Sequence, residues 1–238
     1  MKDNIKHLLT PILAEIEAAE TVSEKIQLLN DIREALHQVS PQKHHPIDFV
    51  RWAPSDPVTA NDYNPNAVAP PEMELLHLSI AEDGFTQPIV ANEEKVTKTL
   101  LKELGVKETL HQVLYVIIDG FHRNRVGKEK ADIKESLHGY LPIVQIRKEN
   151  RTRGKRMAST VRHNRARGKH GIKSMVEMVG EFVQMGWQDK QIGKHLGMAK
   201  EEVIRFKQST GLLMAFMKRE FSKTWTEFIE KHNSKFQK

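Results

Sequence analysis

The sequence predicts an α+β protein: an α/β domain preceded by a helical extension and followed by an all-α helix-turn-helix domain. Three observations carry that expectation. Over residues 46–150, short apolar runs that read as buried strands alternate with stretches of helical periodicity. Residues 4–39 repeat apolar positions at helical spacing and hold no strand pattern. Beyond residue 150 the periodicity stays helical, and two glycines fall where a helix-turn-helix needs them. A chain of 238 residues with 39% hydrophobic content can bury a core and is long enough for more than one domain. The expected divisions are 1–45, a helical extension; 46–150, the α/β domain; 151–215, a basic helical segment with the helix-turn-helix; and 216–238, a C-terminal helix.

In the extension, Ile5, Leu8, Leu9, Ile12, Leu13 and Ile16 mark one helix, and Ile26, Leu28, Leu29, Ile32 and Leu36 a second. The Thr21-Val-Ser23-Glu24 stretch offers an N-cap between them, so an antiparallel hairpin is expected, one that packs or dimerises. From Ser40 to Pro71 the texture changes to Pro, Asn, Asp and His, with one short strand expected at Phe49–Trp52. His44 and His45 fall in this linker and carry no assigned chemistry. Residues 72–83 read as a helix that stops at Gly84. "TQPIVA" reads as a buried strand of about four residues, "KVTKTLLKELGV" as a helix ending at Gly105, and "HQVLYVIIDG" and "LPIVQIR" as two more buried strands. "IKSMVEMVGEFVQMG" places Ile172, Met175, Val176, Val179, Phe182 and Val183 on one helical face, a core pattern rather than a methionine-rich ligand surface.

Composition excludes several chemistries. Without cysteine the chain has no disulfide, no thiol nucleophile, no thiolate zinc site and no iron–sulfur cluster. No run approaches 18 uninterrupted apolar residues, and the first twenty residues mix charge with Leu and Ile instead of forming a signal-peptide core, so a cytoplasmic protein with no membrane contact is expected. The net charge is +6, but eleven Lys and Arg residues stand against the single acid Glu149 between Arg147 and Lys173, a net of +10 that leaves −4 for the rest. A basic island in a slightly acidic chain is the footprint of a polyanion, whereas a merely solvated face interleaves its bases with acids.

Two stretches carry the candidate chemistry. In "IDGFHRNRVGKE" (118–129) a strand ends at Asp119-Gly120 and turns into a helix, whose free N–H groups and the close approach allowed by Gly120 suit a phosphate. Arg123 adds a planar fork, and His122 donates only as its protonation or tautomer permits. A purely structural turn, with Asp119 and Arg123 paired, accounts for the same residues and stays open. In "DKQIGKHLGMAKEEVIRFKQ" (189–208), Ile192, Leu196, Met198, Val203 and Phe206 form the core face, Gly193 is small at the helix crossing and Gly197 sits at the turn. Its second helix would present Lys200, Glu201, Ile204, Arg205 and Gln208 outward, and Arg and Gln make bidentate contacts with base edges. His122, His163 and His170 lack companion carboxylates, and no metal site is expected.

Together "NDYNPN" (61–66), "LLHLSIAEDGFTQPIVA" (75–91), "VIIDGFHRNRVGKE" (116–129), "LPIVQIR" (141–147) and "TVRHNRARGKHG" (160–171), followed by the helix-turn-helix, resemble the ParB/Spo0J N-terminal domain superfamily, the ParB/sulfiredoxin fold, over about residues 47–210. Within it the chain looks closest to the IbrB-like branch. The resemblance implies a ParB-like nucleotide-binding domain at 46–150, with CTP and Mg2+ as the ligand of chromosome-partition members, and Gln87 and Pro88 lining its pocket. The glycine–acid–arginine–arginine motif falls on Gly120, Phe121, His122 and Arg123, keeping the second arginine and replacing the first by His122. The glutamate–asparagine–x–x–arginine motif falls on His163, Asn164 and Arg167. Its glutamate, tied in the family to the metal-bound triphosphate and its hydrolysis, is replaced by His163. That leaves NTPase activity, and with it the catalytic residues, open. Phe121 stands where sulfiredoxins carry cysteine, which excludes their reaction.

The function expected is a bacterial or prophage DNA-binding regulator, of transcription or of the partition type, homodimeric, with the nucleotide as a conformational switch. The IbrB-like branch also implies a partner resembling phosphoadenosine-phosphosulfate reductase, and an adaptor that docks such a partner through its N-terminal helices is a further alternative. The alternative is an enzyme on the same fold, a nuclease, NTPase or small-molecule kinase. For it Glu82, Asp83 and Asp119 are the only acids close to the pocket, and His163 is the candidate base.

Overall fold

The computed structural model describes residues 3–63, 70–150, 152–165 and 172–217. They fall into two compact units, Met1–Arg167 and Gly168–Lys238.

In the first unit α1 (Asp3–Ala18) and α2 (Val22–Val39) form the extension. The cap read from the sequence is present: the Glu24 N–H donates to Thr21 Oγ1 at 3.1 Å, and Glu24 Oε2 accepts from the Thr21 N–H at 3.0 Å. The chain then crosses a 3-10 turn at Pro46–Asp48 into β1 (Arg51–Pro54) and β2 (Val58–Thr59). There follow α3 (Pro70–Asp83), β3 (Ile89–Lys95), α4 (Lys98–Leu104), β4 (Val113–Asp119), α5 (Phe121–Glu129), α6 (Ala131–Ser136), β5 (Tyr140–Gln145) and α7 (Arg153–Arg165). The five strands make one mixed sheet in the order β1-β5-β3-β4-β2, antiparallel at β1/β5 and β3/β4 and parallel at β5/β3 and β4/β2.

Alternation along β4 divides the core. Ile117 joins Ala53, Ile89, Ala91, Leu141 and Ile143, while Leu114 and Val116 pack with Leu100 of α4. Phe85 and Leu137 link the first cluster to Ile80, Val126 and Ile133, which tie α3, α5 and α6 together. The edge of β1 is closed by a side chain: Asn30 of α2, buried at 5% exposure, donates to the Trp52 carbonyl at 2.8 Å and accepts from the Trp52 N–H at 3.0 Å. One amide thus replaces a missing strand neighbour.

Two sequence expectations shift. The strand placed at Phe49–Trp52 runs from Arg51 to Pro54, because its pairing with β5 starts only at Arg51. β3 is longer than the four apolar residues expected, since Glu93, Glu94 and Lys95 continue the ladder with β4. α1 does not hide its apolar side: Leu8 is 68% and Leu13 53% exposed.

In the second unit α8 (Ile172–Gln184), α9 (Asp189–Leu196) and α10 (Lys200–Met217) bury Met175, Met178, Val179, Phe182, Ile192, Leu196, Met198 and Val203. Val183, expected in the core face of α8, is 40% exposed, and Met178 at 3% takes that place. The expected C-terminal helix at 216–238 lies outside the described residues from position 218 on.

Candidate functional site

The Asp119-Gly120 junction is where the sheet unit concentrates its chemistry. β4 ends at Asp119, and Gly120 turns the chain with φ +89° into the first turn of α5. Glycine is imposed twice. That φ disfavours any side chain, and a Cβ here would lie 3.2 Å from Ile89 Cα. The same atom would lie 3.0 Å from Arg123 Nη2, so the guanidinium folds back across the turn.

Arg123 Nη1 donates to Gln87 Oε1, and its Nη2 stands 3.5 Å from Oδ2 of Asp119, which is 6% exposed. The Nδ1 of His163, on α7, is 4.0 Å from the same Oδ2. Segments far apart in sequence therefore meet: the Gln87-Pro88 loop before β3, the β4–α5 turn, and α7. The ion pair of the purely structural reading is present, yet Arg123 also reaches Gln87, and the N–H groups of the first turn of α5 begin beside it. His122 and Phe121 meet edge to face at 5.7 Å. Burial, and secondarily the Arg125 guanidinium, push the His122 imidazole below its ordinary value, which favours its neutral form. Asn164 lies on α7, but its side chain, like Arg167 and His170, is outside the described residues.

The basic island is partly spent inside the fold. Arg153 forms a fork on Asp62, with Nη1–Oδ1 at 3.1 Å and Nη2–Oδ2 at 2.9 Å, and its guanidinium lies 5.3 Å from the Tyr63 ring centre. Arg156, 5% exposed, pairs with Glu94 and stands 3.8 Å from Glu103. These two arginines dock α7 onto the sheet, and they correct the expectation that the whole island faces a polyanion. A local charge count misses acids supplied from positions 50 to 91 residues away. Sequence reasoning also missed Asn61, whose buried Nδ2 donates to the Ile117 carbonyl at 2.7 Å while its Oδ1 accepts from Tyr63 N–H at 3.2 Å. "NDY" was visible in the motif at 61–66, but nothing in it said which backbone it would hold.

In the second unit, α9 and α10 form the helix-turn-helix. Gly197 adopts φ +64°, and Gly193 stands at the crossing, where a Cβ would lie 3.0 Å from the Met198 carbonyl oxygen and 3.8 Å from Val203. Lys207 Nζ ties α10 to Asp189 Oδ1 at 2.7 Å. Lys200, Glu201, Arg205 and Gln208 are exposed, and Ile204 is 37% exposed among them, so all five lie on the open side of α10. No helix among the described residues is long and apolar enough to cross a membrane.

Residues 170–218 match the family of the IbrB-like C-terminal HTH domain. The protein YbdM of Escherichia coli (strain K12) is 45% identical over 226 residues, covering 95% of this chain and 99% of YbdM. Among solved structures, the C-terminally truncated chromosome-partitioning protein ParB from Caulobacter crescentus is similar in two crystal structures. That complexed with CTP-γ-S shares 17% identity at a TM-score of 0.36, covering 66% of this chain and 76% of that one. That complexed to the centromeric parS site shares 14% at 0.42, covering 76% and 78%. Through its 45% identity along nearly the whole length, the chain belongs to the family of YbdM, with an IbrB-like helix-turn-helix domain at residues 170–218.

Proposed function

We propose that the protein is a cytoplasmic DNA-binding regulator whose sheet unit binds a nucleoside triphosphate at the Asp119-Gly120 turn and whose α10 reads DNA. The observation that carries the DNA half is the open face of α10. Lys200, Ile204 and Gln208 follow one another at four-residue intervals, with Glu201 and Arg205 beside them, on a helix held by a small-residue crossing at Gly193. Arg205 and Gln208 are the base-reading pair, against guanine and adenine edges respectively, and Lys200 a phosphate contact.

The nucleotide half is supported by the meeting of Gln87, Gly120, Arg123 and His163 around one helix start. Arg123 would exchange its contacts with Gln87 and Asp119 for phosphate oxygens, so ligand binding also loosens the link between β4 and the Gln87 loop. CTP, with Mg2+, is the ligand that the motif resemblance implies. The exposed apolar residues of α1 support a homodimer as the assembly. A nucleotide that binds one dimer state better than another would then act as the switch. In the enzymatic alternative Asp119, released as Arg123 turns to the phosphates, would be the carboxylate beside them.

The test is selection of random duplexes on the purified protein with and without CTP. A recovered consensus that Arg205→Ala relaxes at one position supports the reading. Recovery of sequences indistinguishable from the input pool in both conditions refutes it.

A further inference from the structure

A second cleft lies away from that turn, where the N-terminal extension meets the edge of the sheet. It measures about 320 Å³ and is walled by α2, the segment 43–49, β1 and the end of β5. That is the size of a small-molecule site. Its cations are Lys43, Arg51 and Arg147, with His44 beside them, against the single carboxylate Glu34. The remaining titratable group, His37, is held at 2.5 Å by Asp48 and stacked on Phe49.

A merely solvated basic surface does not explain how these cations are held. Arg147 donates from Nε to the His44 carbonyl at 3.0 Å. That bond anchors the side chain while leaving both terminal amino groups, the fork that meets an oxyanion, without a partner among the described residues. Lys43 Nζ has one long contact, 3.4 Å to the Gln38 carbonyl, and keeps donors to spare. Arg51 binds Glu34 at 2.8 Å and lies 5.4 Å from the Phe49 ring centre, and its Nε is buried with no partner among the described residues. Like charges converging on a concave space repel one another, and an anion that joins them offsets that repulsion.

We propose that this cleft binds a small molecule through a terminal phosphate, independently of the nucleotide site. A phosphate offers three acceptor oxygens to the Arg147 fork, Lys43 and Arg51. The recess also favours a terminal group over the convex backbone of a duplex. Since the walls come from both the extension and the sheet, the ligand binds the state in which the two are docked and stabilises it.

The experiment is thermal unfolding of the full chain with inorganic pyrophosphate, against sodium chloride of equal ionic strength. The variants are wild type, Arg123→Ala, Arg147→Gln and Lys43→Gln. Pyrophosphate is expected to raise the midpoint saturably in wild type and in Arg123→Ala, with affinity about tenfold or more weaker in Arg147→Gln and in Lys43→Gln. Should Arg147→Gln fail to fold, the exposed Lys43→Gln carries the comparison. Equal responses from Lys43→Gln and wild type overturn the proposal, as does a chloride control that reproduces the shift. Loss of the response in Arg123→Ala alone assigns the phosphate to the Asp119-Gly120 turn instead. Displacement of pyrophosphate by a short duplex makes the cleft a DNA contact. Failure of the nucleotide reading leaves the Lys43 and Arg147 comparison unaffected.

Discussion

Gly120 is the residue on which the turn depends. Gly120→Ala meets both a positive φ and the Ile89 backbone at 3.2 Å, so a loss of about 1–3 kcal/mol in denaturant unfolding is expected. Arg123→Ala removes a charged fork, and roughly tenfold or greater weakening of triphosphate binding is expected, together with about 1–3 kcal/mol of destabilisation because the buried Asp119 carboxylate loses that partner. His122 gives the pH dependence. Its folded value is held below 6.5 by burial and Arg125, so its contribution to stability is present above about pH 6.5 and fades as pH falls through the folded value. Triphosphate binding has the opposite sign: a protonated imidazole suits the anion, and affinity should rise as pH is lowered from 7 toward 6. Titrations at several pH values check this, and His122→Phe should flatten the profile. The resemblance made Gly120 and Arg123 legible in the sequence. The Arg123–Gln87 bond joins positions 36 residues apart and was visible only as shared membership of a pocket.

Among the elements, the helix-turn-helix was the most legible. Gly193 and Gly197 announced a crossing and a turn, and the structure puts a backbone carbonyl 3.0 Å from where the Gly193 side chain would start. Gly193→Leu should destabilise the second unit by about 1–3 kcal/mol and reduce DNA binding in proportion to the unfolded fraction. The strand edges were less legible. Asn30 in the middle of α2 looks like any polar helix residue, yet both polar atoms of its amide serve Trp52. Asn30→Ala leaves that buried pair unsatisfied, and about 1–3 kcal/mol of destabilisation is expected by chemical denaturation. β2, two residues long, carries no periodicity to detect. α7 was legible as a helix but not as part of the sheet unit: its buried apolar face is short, Met157, Ala158 and Val161, and its ion pairs reach Asp62, Glu94 and Glu103 far away in sequence.

For the whole molecule, charge was the feature most easily misjudged. The +10 of residues 147–173 is real, but Arg153 and Arg156 are neutralised internally. DNA affinity should therefore fall with salt according to the contacts made by α10 and the exposed part of the island, about −0.9 in log–log slope per phosphate neutralised. Acid tests a different network. Lys130 holds the Glu74 carboxyl below the usual carboxylate range, and His77 does the same for Asp132, clamping α3 to α6. Their contributions are present above ordinary carboxylate values of 4.5 and 3.8 and are lost as pH falls through the lower folded ones. Both pairs are solvent-exposed, so acid should loosen the α3–α6 clamp only slightly, a change that unfolding curves between pH 7 and 4 would read.

The most direct measurement is calorimetric titration of the purified protein with CTP, ATP and ADP in magnesium, repeated on Arg123→Ala. Saturable binding of a triphosphate that the substitution weakens about tenfold or more is the result expected. Heats indistinguishable from dilution for all three nucleotides, or binding that Arg123→Ala leaves unchanged, would make the Asp119-Gly120 turn a structural joint and leave the helix-turn-helix to act without a nucleotide.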